Sequence, residues 1–99
     1  MEQVPGFLKK LKEKDADYAT HLQAIMEKEQ KDTALPAKVK ALIIMALDAA
    51  HGDRKGVEML ADRARRAGAS EQEIVETVEL VGNTCGIQGL IVALNGLKE

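Results

Sequence analysis

Tryptophan is missing from this 99-residue chain, and phenylalanine and tyrosine occur once each, as Phe7 and Tyr18. A core without large rings must be built from Leu, Ile, Val, Met and Ala, which bury less area per residue. A chain this long reads as one domain, residues 1–99, and buries a modest share of its surface. Assembly of identical copies is a common source of the missing stability, and a homo-oligomer is expected. Cysteine occurs once, as Cys85, which excludes an internal disulfide. The sequence fits a reducing compartment, so the expected location is cytoplasmic.

Neither sign of charge dominates. The 14 Lys and Arg stand against 16 Asp and Glu, for a net charge of −2. Interspersed charge of this kind lacks the basic footprint of nucleic-acid binding and lacks an acidic tail. The longest apolar runs, such as residues 41–47, are too short to span a bilayer, and no segment reads as a secretory leader. Neither a nucleic acid nor a membrane is an expected partner.

What the chain does have is helical spacing. Pro5, Phe7, Leu8 and Leu11 predict a short helix over residues 5–14, with Pro5 in the first turn. Asp15 is a suitable N-cap for a second helix with the stripe Tyr18, Leu22, Ile25 and Met26. The charged run over residues 27–32 ends it. A third helix begins near Leu35-Pro36, with Val39, Leu42, Ile43, Ala46 and Ala50 on one stripe. Ile44, Met45 and Leu47 fill most of the remaining circumference. A helix apolar nearly all round is usually buried on all sides. In so short a chain, the extra face is expected to meet another subunit.

His51-Gly52-Asp53 breaks that helix, with Gly52 at C′ and Asp53 as the next N-cap. The fourth helix carries Val57, Leu60, Ala61 and Ala64 and ends at Ala67-Gly68-Ala69. Ser70 and Glu73 form a capping-box pattern. The fifth helix buries Ile74, Val78 and Val81. Residues 82–86 weaken the pattern, and a last helix places Ile87, Leu90, Ile91 and Leu94 inward. No segment shows the alternation and turn chemistry of a hairpin. The fold class is all-α, with about six helices.

Residues 35–97 resemble the carboxymuconolactone decarboxylase family, which includes the alkyl hydroperoxidase D-like proteins. Leu35-Pro36, the apolar helix over residues 41–50 and Ala67-Gly68-Ala69-Ser70-Glu71-Gln72-Glu73-Ile74 carry the likeness. The resemblance implies an all-α domain built round a helical hairpin and assembled into trimers or hexamers. The family's peroxidase branch carries a glutamate, a Cys-x-x-Cys pair and a histidine. Ungapped alignment places those cysteines at Asp53 and Gly56, the histidine at Leu60 and the glutamate at Ala41. A thiolate must attack and a second thiol resolve the disulfide in that chemistry. Neither a carboxylate nor a glycine does so, and the redox mechanism is expected to be absent. The decarboxylase branch keeps a histidine where this chain has Leu60.

The candidate catalytic residues are Asp48, His51 and Asp53. Asp48 lies seven residues after Ala41, on the same face of the third helix, and His51 follows at i+3. One histidine between two carboxylates suits acid–base work on a small-molecule ligand held between subunits. The trio also suits part of a metal site, but no metal and no cofactor is assigned. The structural alternative is a helix end. There His51 favours the C-terminal dipole, and Asp48 pairs with it, with Arg54 or with Lys55. Cys85 reads as a small buried hydrophobe, or else as a reactive thiol at the start of the last helix. Met26, Met45 and Met59 read as core filling, with a Met-lined groove as the alternative. Arg63, Arg65 and Arg66, with Arg54 and Lys55, read as solvated helix faces, or else as a contact for an acidic partner. His21 has no assigned role.

Overall fold

A computed structural model describes residues 6–99 of the chain. They form five α-helices: α1 (Gly6–Lys14), α2 (Ala16–Lys28), α3 (Ala37–Ala50), α4 (Arg54–Arg66) and α5 (Glu71–Ala93). A 3₁₀ turn, Leu94–Gly96, follows, and no strand occurs among the described residues. The chain divides into two compact units, the first ending at Lys31 and the second spanning Asp32–Glu99.

The first unit is a pair of helices. Asp15 caps α2 by accepting from the Tyr18 N–H at 3.1 Å. The Pro5 start expected for α1 lies outside the described residues. Leu8 and Ala19 are the buried residues of the pair. The expected α2 stripe is displaced, because Tyr18 and Ile25 are exposed while Leu22 and Met26 are half-buried. A helix pair has one contact face, and a small residue at its centre lets the backbones approach. Larger neighbours are then left at the rim.

The second unit holds the main core. Met45, Ile74 and Val57 are its largest fully buried side chains. They are surrounded by Ala41, Ala49, Leu60, Ala61, Ala64, Val78, Val81 and Ala93. The faces expected for α4 and for the first part of α5 are the buried ones. On α3 the buried line is instead Ala41, Met45 and Ala49. Ile43, Leu47 and Ala50 are exposed, and Val39, Leu42, Ile44 and Ala46 are half-buried. A helix apolar on nearly every side carries little directional signal, so periodicity alone does not choose its inner face. Met59 is exposed, so of the three methionines expected to fill core only Met45 is fully covered.

The expected fifth and sixth helices form a single helical run, α5, interrupted at Gly86 (φ +77°, ψ −170°). That conformation suits glycine, which lacks the Cβ that makes it costly. The chain beyond the break returns close to the chain before it. A Cβ on Gly89 would stand 2.7 Å from Cys85 Cβ, and one on Gly82 3.2 Å from Leu90 Cδ1. The close approach selects small residues, so Gly89 and Ala93 are buried. Ile87, Ile91 and Leu94, expected inward, are exposed, and Leu90 is half-buried. The break resets the phase of the helix, which sequence spacing does not record.

By length and composition the stretch Glu71–Gly96 would suit a membrane crossing, and only 28% of its apolar window is buried. The straight part before Gly86 rises roughly 22 Å, short of the ~30 Å hydrocarbon thickness.

Candidate functional site

Asp48, His51 and Asp53 meet at the turn between α3 and α4. The turn forms because α3 ends in a Schellman arrangement. Gly52 N–H donates to Ala49 O at 3.1 Å, and Asp53 N–H donates to Asp48 O at 2.9 Å. Gly52 has φ +80°. Asp53 then serves at once as the N-cap of α4, its Oδ1 accepting from Gly56 N–H at 2.9 Å. The whole reversal takes three residues, which holds the last turn of α3 beside the first turn of α4.

That compactness brings the two carboxylates together. Asp53 Oδ2 and Asp48 Oδ2 lie 2.5 and 2.6 Å from the point that a Cβ on Gly56 would occupy. Both therefore converge on the space left by the missing side chain. Asp48 is partly buried, and its pKa is raised above the ordinary carboxylate range. Burial is the larger cause and the negative charge of Asp53 the second, while His51 and Arg63 pull in the opposite direction. His51 is exposed, and its Nδ1 lies 2.7 Å from Leu47 O. An Nδ1–H donated to that carbonyl leaves Nε2 as the acceptor.

The structure thus brings all three candidate residues to one turn. Arg63, half-buried on α4, is the Arg or Lys whose charge acts on Asp48, in place of the expected Arg54 or Lys55. Two contributors were missed from the sequence. Gly56 has no side chain to draw attention, although its i+3 spacing from an N-capping Asp is a usable signal. Arg63 stands two turns along α4, on the face that Gly56 begins.

The other positions singled out by the family pattern have no polar group to offer. Ala41 and Leu60 are packed in the core. Cys85 is exposed rather than buried. It ends the first stretch of α5 instead of starting a helix, with Thr84 Oγ1 3.6 Å from its Sγ. Arg65 is no solvated side chain either. Its side chain is only 14% exposed, held by Glu71 and Asp62 and by Gly96 O. Among the described residues, no group of three or more His, Cys, Asp or Glu is placed to hold a metal ion.

Compared with known proteins, the chain matches the model of the carboxymuconolactone decarboxylase family over residues 16–99. Neither the curated proteins nor the solved structures contain a match.

Proposed function

The chain belongs to the carboxymuconolactone decarboxylase family, and from that premise we propose that it is a non-redox member, an oligomeric binding or scaffold protein without a thiol peroxidase mechanism. One observation carries the reading. The place where the redox branch would put its paired thiols holds Asp53 and Gly56, and the space beside Gly56 receives two carboxylates. A carboxylate neither attacks a peroxide as a thiolate does nor forms a disulfide. The chain's single thiol sits on another element, at the Gly86 break. Exposed Ile43 and Leu47 on α3 and Ile87, Ile91 and Leu94 beyond Gly86 support the oligomeric part, as apolar surface suited to contact between copies.

The test is peroxide consumption by pure protein with a dithiol reductant. Turnover at the buffer rate is expected, and the same rate in Cys85→Ser. Thiol-dependent turnover well above buffer overturns the reading. Sizing of dilute protein tests assembly, with a trimer or hexamer expected and well-folded single subunits as the refuting result.

A second reading is favoured by the raised pKa of Asp48. In it the protein is a small-molecule enzyme acting on a carboxylic acid or lactone, with Asp48 and His51 as the acid–base pair beside Asp53. A bell-shaped pH dependence, lost in both Asp48→Asn and His51→Ala, is its expected signature.

A further inference from the structure

We propose that Asp48 and Asp53 share one proton across the space beside Gly56, which ties the charge of the α3–α4 turn to pH. The pair stands whether or not the turn is catalytic.

The geometry restricts each carboxylate separately. Asp53 Oδ1 is committed to the Gly56 N–H at 2.9 Å, as the cap of α4. Its other oxygen, Oδ2, is therefore the one directed at the shared space. Asp48 reaches the same space from the last turn of α3, with its own Oδ2 foremost. Its position near a helix C-terminus adds carbonyl dipoles that disfavour a second negative charge. Two carboxylates this close do not ionise independently, and the first proton is held by the pair. A protonated Asp48 donates its O–H to Asp53 Oδ2 and converts the repulsion into a hydrogen bond. The cap position of Asp53 suits negative charge, which a helix N-terminus favours.

The charges around the pair leave room for that proton. Asp53 opposes ionisation of Asp48, while His51 and Arg63 favour it, in both cases by less than burial disfavours it. His51 is turned to the Leu47 carbonyl. On α5, Glu71 and Glu73 are engaged elsewhere, with Arg65 and Lys38. Gly56 is the positioning residue, because any Cβ there would occupy the place of both Oδ2 atoms. As pH rises the proton leaves to solvent, and like charge accumulates across a three-residue turn.

The experiment is a carbon-13 NMR titration of the aspartate carboxyls in the full chain, from about pH 3 to about pH 9. Asp48 is expected to titrate above the ordinary carboxylate range. In Asp53→Asn its midpoint should fall towards that range. Asn is as good an N-cap as Asp, so α4 keeps its start, and circular dichroism checks the fold. An Asp48 midpoint that is the same in the native chain and in Asp53→Asn overturns the proposal, since burial alone then explains it. Gly56→Ala offers a second reading of the same distance, with a lowered Asp48 midpoint expected and an unchanged one contrary. Should Gly56→Ala fail to fold, Asp53→Asn still decides.

Discussion

α4 is entered through Gly52-Asp53 and left through Gly68-Ala69-Ser70, and the two turns close in the same way. In each, the glycine N–H reaches back to the carbonyl three residues earlier, and the next N–H to the carbonyl five residues earlier. A capping side chain then starts the following helix, Asp53 in one and Ser70 in the other. The side chains around these matched backbones behave differently. At the α4–α5 turn Arg65 is matched by Glu71 and Asp62, and Glu73 by Lys38. Ser70 and Glu73 exchange hydrogen bonds at 2.8 and 3.0 Å. Arg65 meets Glu71 at 2.7 and 2.8 Å, Asp62 at 3.1 Å and Gly96 O at 2.8 Å. At the α3–α4 turn two carboxylates converge beside Gly56, and His51 and Arg63 only partly offset the effect of burial and of Asp53 on Asp48. The backbone does not require that crowding, since the partner turn closes without it. One turn pairs its charges with opposites, and the other brings two like charges to the space beside one glycine.

The largest expected effect tests whether one core supports both turns. Met45 is fully buried and lies beneath the closing Gly96. Met45→Ala should cost about 2–5 kcal/mol in urea unfolding; a much smaller loss would mean that the turns are held separately. Next, Arg65→Ala removes the charge that joins α4, α5 and the closing turn. A loss of about 2 kcal/mol is expected, and no loss would remove the contrast between the turns. Ser70→Ala should cost about 1 kcal/mol in the same measurement, through half of the capping box.

The smallest effect has the opposite sign. The folded-state pKa of Asp48 is raised above its unfolded value. Its contribution to stability is therefore fully present below the ordinary carboxylate range and is lost as pH rises through the raised value. Asp48→Asn has no charge to gain. Its melting temperature, relative to the native chain, should be higher at neutral pH than in acid. A destabilised Asp48→Asn at neutral pH would place this turn in the same class as its partner.

Legibility from the sequence followed how local the determining physics was. The caps Asp15, Asp53 and Ser70 act within three residues, and all three form as expected. The inner faces of α4 and of early α5 were readable because polar residues mark the opposite side. α3 has no such marking, and its buried line fell on Ala41, Met45 and Ala49. Beyond Gly86 the spacing rule failed because the chain reverses close upon itself and admits only small residues. At the site, Asp48, His51 and Asp53 were readable as neighbours because they lie within six consecutive residues. Gly56 and Arg63 were not, since one contributes an absence and the other stands two helical turns away.

Helix positions before Gly86, their caps and the absence of a thiol pair were determined by sequence alone, because each depends on a few adjacent residues. Which side of α3 faces inward was decided by the tertiary structure, as was the exposure of Cys85. So was the space beside Gly56 into which two carboxylates point. Those outcomes depend on how closely backbones distant in sequence approach, and on which side chains remain small enough to allow it.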